Sequence, residues 1–154
     1  MKTSKKVVEI LEKALAEEHT AIAQYMAHHY QVDDAGYSKI AQLLKEDSVE
    51  EMKHAEKLAE RLTFLGVTPP YKLSGVPQTK KAPIVDLLKA DLALEEGAID
   101  LYNHGIQVCL AEGDAGSRLL LEKILLEEEK HKKDLEEHLR LIKLHGDPYW
   151  VSQM

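Results

Sequence analysis

The chain holds a single cysteine, Cys109, so no disulfide can close within its 154 residues and a four-cysteine zinc or rubredoxin-type site is excluded. Aromatic residues are scarce at 5%, and the Ala, Leu, Glu and Lys that dominate instead build helices better than strands. Positive charge is in short supply. Against 20 Lys and Arg stand 27 Asp and Glu, and the net charge of −7 argues against nucleic acid or an anionic membrane as a partner. No apolar run approaches the ~20 residues that cross a bilayer, and the opening Met1 to Lys6 leads into no signal-peptide core. Prolines number five, and three of them (Pro69, Pro70, Pro77) crowd the midpoint. With 44% hydrophobic and 31% charged residues, what is left is the composition of one soluble domain, residues 1–154, expected in the cytoplasm.

Hydrophobic periodicity divides that domain into four long helices. The first, about 4–33, opens on Ser4 as a capping residue and carries Val7, Leu11, Ala14, Leu15, Ala21, Ile22 and Tyr25 on one stripe. Asp33 to Gly36 breaks it, and the second, about 37–65, shows Ile40, Leu43, Leu44, Leu58 and Leu62. Gly66 to Ala82, with its three prolines, is the one long connection. A third helix, about 83–112, begins near Pro83, a favoured first-turn residue, and a fourth runs about 115–145. Residues 146–154 leave a tail with room for a turn or a short helix. Two short turns and one long crossover between helices of this length describe an all-α four-helix bundle.

Each stripe is interrupted by residues foreign to apolar surroundings. Glu18 stands between Ala14 and Ala21, and Glu51 and His54 between Leu44 and Leu58. Glu95 stands between Leu88 and Ile99, and Glu128 and His131 between Ile124 and Leu135. Four carboxylates in one core repel each other and lose their hydration, which a bundle tolerates only with compensating cation charge. The two halves of the chain also repeat. An offset of 77 carries Glu18, Ala21, Ile22 and Tyr25 onto Glu95, Ala98, Ile99 and Tyr102. The same offset carries Gly36, Glu51 and His54 onto Gly113, Glu128 and His131. One Glu from the first helix of each half and Glu-x-x-His from its second make the ligand set of a two-metal carboxylate site. Hard oxygen donors with one imidazole per metal suit iron or manganese better than zinc or calcium.

Four segments now stand out: Glu18-x-x-Ala21-Ile22-x-Gln24-Tyr25, Glu51-Met52-Lys53-His54-Ala55, Asp91-Leu92-Ala93-Leu94-Glu95 and Glu128-x-x-His131. Together they resemble the bacterioferritins, iron-storing members of the ferritin-like superfamily, over nearly the whole chain. The resemblance implies a ferritin-like bundle with two iron ions per subunit. Glu51 and Glu128 would bridge the irons, Glu18 and Glu95 would each close one, and His54 and His131 would supply the nitrogens. Tyr25 would join this catalytic set by hydrogen-bonding a ligand across the site, mirrored by Tyr102. The activity implied is that of a ferroxidase, which oxidises ferrous iron with dioxygen or peroxide. The ferric mineral would be kept in a homo-oligomeric cage, of 24 subunits or alternatively 12, and released by a ferredoxin-type reductant. Met52, turned about 100° from the metal stripe, would ligate haem b at the subunit interface; an apolar contact there is its other reading. The chain departs from the family's haem-pocket pattern at His19 and Lys45, and Asp134 stands where an aromatic residue is frequent.

Two other functions share this fold. A rubrerythrin-like peroxide reductase without a rubredoxin domain is disfavoured, because Ala98 stands where those enzymes carry a further carboxylate. A small Dps-like cage that shields DNA is disfavoured by the negative charge and the lack of a basic tail. The remaining histidines (His19, His28, His29, His104, His138, His145) are expected at the surface. Glu46 and Glu50 read as a solvated charged face or, by the resemblance, as carboxylates facing a storage cavity. Cys109 reads as a small buried apolar residue, and Tyr25 and Tyr102 also fit plain core aromatics with a satisfied hydroxyl.

Overall fold

A computed structural model describes residues 3–154 as helices α1 (Lys5–Asp34), α2 (Ser38–Phe64), α3 (Ile84–Ala111), α4 (Ala115–His145) and α5 (Asp147–Ser152). Ser4 caps α1, its hydroxyl accepting from the Val7 amide at 3.3 Å. Pro83 lies outside α3 as its N-cap, not in its first turn, and the tail is helical. Gly36, at φ +92°, turns the chain between α1 and α2 in a conformation costly for any side chain. At the start of α4, Asp114 accepts from the Ser117 amide (2.9 Å) and from the Arg61 guanidinium (2.8 Å). One carboxylate thus caps α4 and ties it to the end of α2.

Residues 66–83 run back along α1 instead of looping into solvent. Ser74 donates its amide to the Ala16 carbonyl (3.2 Å) and to Thr20 Oγ1 (2.9 Å). Further on, the Gln78 amide donates to Gln24 Oε1 (2.9 Å) and the Ala82 amide to Gln31 Oε1 (3.2 Å). This path delivers α3 to the far end of α1, and α3 returns until Ser4 Oγ donates to Glu112 Oε1 at 2.6 Å. The two helices therefore lie antiparallel. α5 closes the opposite end: Lys39 donates its amide to the Gln153 carbonyl (3.0 Å), and Trp150 packs 4.9 Å from Tyr37.

Apolar packing forms two clusters rather than one. Leu11, Leu15, Leu58, Leu62, Tyr102 and Leu121 fill one end of the bundle. Tyr25, Ile40, Leu44, Leu87, Leu88 and Leu135 fill the other. Cys109 sits in the first, fully buried, its thiol pushed up to about 11 by burial and then by the Asp114 charge. At Gly105 the helices press closely, since a Cβ there would lie 2.6 Å from Ile10 Cγ2.

The surface expectation for the histidines fails at His28, which has no solvent exposure. Its Nδ1 lies 2.8 Å from Asp91 Oδ1, and its Nε2 donates to the carbonyl and side-chain oxygens of Gln78 (2.7 and 2.6 Å). Gln24 Nε2 also donates to Asp91 Oδ1, at 2.9 Å. The crossover covers this face of α1, and a stripe pattern on a single helix does not reveal such a lid. His104 and His145 are exposed, whereas His19, His29 and His138 are half-buried with partners.

Candidate metal centre

Between the two apolar clusters lies a polar layer. α1 and α3 carry Glu18 and Glu95 into it; α2 and α4 carry Glu51 with His54 and Glu128 with His131. None of the six is more than 4% exposed. Three-residue spacing puts each Glu and His of α2 and α4 on one helix face, aimed at the same point. Glu18, Glu51, His54 and Glu128 form one group whose candidate ligand atoms all lie within 4.8 Å of one another. Glu51, Glu95, Glu128 and His131 form a second. Glu51 and Glu128 belong to both, so the two groups share two carboxylates.

The imidazoles face inward through Nδ1. His54 Nδ1 lies 2.8 Å from Glu128 Oε1 and 3.5 Å from Glu18 Oε2; His131 Nδ1 lies 3.1 Å from Glu51 Oε1 and 3.2 Å from Glu95 Oε1. The supporting hydrogen bonds cross from one half of the chain to the other. Tyr25 donates to Glu95 Oε1 and Tyr102 to Glu18 Oε1, both at 2.5 Å. His54 Nε2 donates to Glu127, and His131 Nε2 donates to Glu50. Each terminal carboxylate and each imidazole is thus oriented by the opposite half.

Several of these buried atoms have no hydrogen-bond partner: Glu18 Oε2, Glu51 Oε1, His54 Nδ1, Glu95 Oε2 and both Glu128 oxygens. Unpaired buried acceptors at this density are costly without a cation to receive their lone pairs. Their acidities report the same strain. Burial and then the Glu18 charge push Glu51 up to about 7, and burial and then Glu51 push Glu128 up to about 7. Burial, with Glu128 next, pushes Glu95 up to about 8; burial and then Glu128 also raise Glu18. Burial opposes a charge on His54 and His131, but the surrounding carboxylates outweigh it and hold both protons far above the usual imidazole range. Four crowded carboxylates and two imidazoles suit hard divalent cations that arrive as the protons leave.

The sequence reading missed Asp47, Glu127 and Glu17 around this layer and took Glu50 only as a solvated charge or a cavity carboxylate. Asp47 is buried, pushed up to about 8 by desolvation, and lies 3.6 Å from His131 Nε2; it forms a third cluster of candidate ligands with Glu50 and His131. Glu50 is not simply a solvated charge, because it accepts a hydrogen bond from His131 Nε2, whereas Glu46 is exposed. Glu127, never singled out, does the same for His54. Glu17 is half-buried beside the layer, its pKa raised by desolvation and then by the charges of Glu51 and Glu95. Met52 lies outside it, 53% exposed on α2, and Asp134 accepts from Lys130 Nζ at 3.1 Å.

Among the described residues no helix is long and apolar enough to cross a membrane. Residues 8–145 match the sequence pattern of the ferritin-like domain family. The bacterioferritin of Desulfovibrio desulfuricans is 38% identical over 144 residues, covering 94% of this chain and 80% of that protein. That of Rhodobacter capsulatus is 36% identical over 141 residues (92% and 87%), and that of Streptomyces coelicolor 34% over 152 residues (99% and 90%). With its five-helix architecture and its buried layer of Glu and His, the chain belongs to the bacterioferritins of the ferritin-like family.

Proposed function

We propose that this protein oxidises ferrous iron at the six-ligand centre and stores the ferric product inside a shell of its own copies. One observation carries the reading: Glu51 and Glu128 are shared by two ligand groups that the internal repeat makes equivalent. The unpaired oxygens of Glu18, Glu51, Glu95 and Glu128 supply the hard donors that ferrous ions need. Two ferrous ions, as substrates, give up one electron each. Dioxygen with two protons takes the pair to give hydrogen peroxide, or peroxide with two protons gives two waters. Tyr25 and Tyr102 hold the terminal carboxylates, Glu50 and Glu127 hold the imidazoles, and the apolar clusters on either side keep bulk water out. Release of stored iron requires an electron donor, for which a ferredoxin-type protein is the expected class.

Met52 supports a haem at a twofold contact. Beside it runs a groove of about 280 Å³, lined largely by Leu15, Ala55, Ala59, Pro69, Pro70 and Tyr71. His19 also lines the groove, but its ring stacks on Tyr71 at 4.3 Å and its Nδ1 donates to the Lys72 carbonyl at 3.2 Å. That satisfies the His19 ring in a wall that is apolar apart from it and the exposed Glu56. Met52 from each of two copies would hold the haem iron, and the group would supply one-electron transfer.

Anaerobic titration tests the centre directly. About two ferrous ions should bind tightly per subunit, one for each ligand group. Glu51→Ala or Glu128→Ala should abolish the fast phase of oxidation and leave the helical circular dichroism intact, because each removes a ligand common to both ions. Wild-type oxidation rates in either variant would overturn the assignment.

A further inference from the structure

A narrow cleft of about 10 Å³, room for a single water, reaches the ligands between α1 and α3. Glu18 and Glu95, with Glu51 and Glu128, form its floor, and Ala21 and Ala98 form its walls. The 77-residue offset relates the members of each pair, so the cleft lies on the internal twofold axis. Only the rim breaks the symmetry: Glu17 on α1 stands where the offset places Leu94 on α3. Glu17 is half-buried there, above the carboxylates of the floor. A carboxylate so placed meets an incoming cation before the ligands do. The floor gives independent reason to expect one, since its buried oxygens on Glu18, Glu51, Glu95 and Glu128 lack hydrogen-bond partners.

We propose that this cleft is the way in for ferrous iron, and that Glu17 is the threshold carboxylate that draws the ion out of water and passes it to Glu18 and Glu95. The inference rests on the ferrous-iron reading of the centre. A fully hydrated divalent ion does not fit a cleft that holds one water, so it must shed part of its shell at the rim. Glu17 supplies replacement oxygens there, next along the chain from the ligand Glu18. Leu94 narrows the rim without binding. A second carboxylate in its place would chelate the ion and hold it back, so the one-sided rim favours passage over retention.

Cobalt(II) tests this without turnover, because it binds such ligands, does not react as ferrous iron does, and shows visible d–d bands. Wild-type protein in its native assembly should bind about two cobalt ions per subunit, one for each ligand group. Glu17→Gln should reach the same number and the same final spectrum with association about tenfold slower at low ionic strength, a gap that closes as salt rises. Glu17→Leu, which makes the rim symmetric, should be at least as slow. Association at the wild-type rate in both variants would overturn the proposal. So would loss of one bound cobalt or an altered final spectrum, which would make Glu17 a ligand of the centre. Failure of the wild type itself to bind cobalt would instead bring down the metal reading on which this rests.

Discussion

Single residues in the polar layer are poised against one another. Glu51 and Glu128 are pushed up to about 7 and Glu95 to about 8, from an ordinary value of 4.5. The folded chain therefore keeps protons that the unfolded chain releases. Stability from these groups is full below about pH 4.5 and is lost as pH rises through 7 to 8. His54 and His131, also raised, act with the same sign above the usual imidazole range. Metal binding inverts this trend, because a cation needs the deprotonated ligands. Calorimetry should show the metal-free protein melting several degrees lower at pH 8 than at pH 5.5, with the gap to the manganese(II)-loaded protein widening over that range. A metal-free melting temperature that climbs with pH would refute this account. Glu18 and Glu95 were legible in the sequence because a carboxylate on an apolar stripe is conspicuous. Glu50 and Glu127 obey the same 77-residue offset, yet each sits one residue ahead of a shared carboxylate and off the stripe. Asp47 lies on the stripe, but its mate at that offset is the apolar Ile124, so the repeat concealed it.

Among the elements, the helices were readable and the crossover was not. Periodicity, Ser4 and the glycine breaks mark where helices begin and end, since backbone and burial obey local rules there. The path of residues 66–83 depends on long-range side-chain bonds from Thr20, Gln24 and Gln31, which no periodicity encodes. His28 is the pin of that arrangement: both ring nitrogens meet only acceptors, and Asp91 with two hydrogen bonds to Gln78 holds its proton above the ordinary imidazole range despite burial. His28→Ala would leave Asp91 buried without its partner, at a cost of about 3–5 kcal/mol. Urea unfolding should report that loss, and trypsin should begin to cut at Lys72, Lys80 and Lys81 in the loosened crossover. Replacing both partners, as in His28→Leu with Asp91→Leu, should recover much of the stability. Equal stability in wild type and His28→Ala would show that the pair does not secure the crossover.

On the scale of the whole molecule, a single bundle that oxidises iron as proposed still encloses no volume in which to keep it. Storage needs closed symmetry, and the exposed Met52 and Tyr71 offer apolar surface for a twofold contact. Light scattering on protein from haem-sufficient cells should give a closed particle of 24 subunits, or of 12, with a Soret band. Met52→Leu should keep the mass and lose the band. A monomer, or a band unchanged in the variant, would count against the twofold haem contact. The repeat that builds the centre also marks how far its halves have diverged. His28 corresponds to Gly105 and Asp91 to Ala14, so the charged pin under the crossover has no counterpart at the other end. A chain made of two first halves would bury two imidazoles with no aspartate to meet them. It would also drive one of them into Ile10, where Gly105 leaves no room even for a methyl group. Two second halves would strand two aspartates. The halves agree on how to hold metal and disagree on how to hold each other, which leaves a duplicated architecture that neither copy can occupy alone.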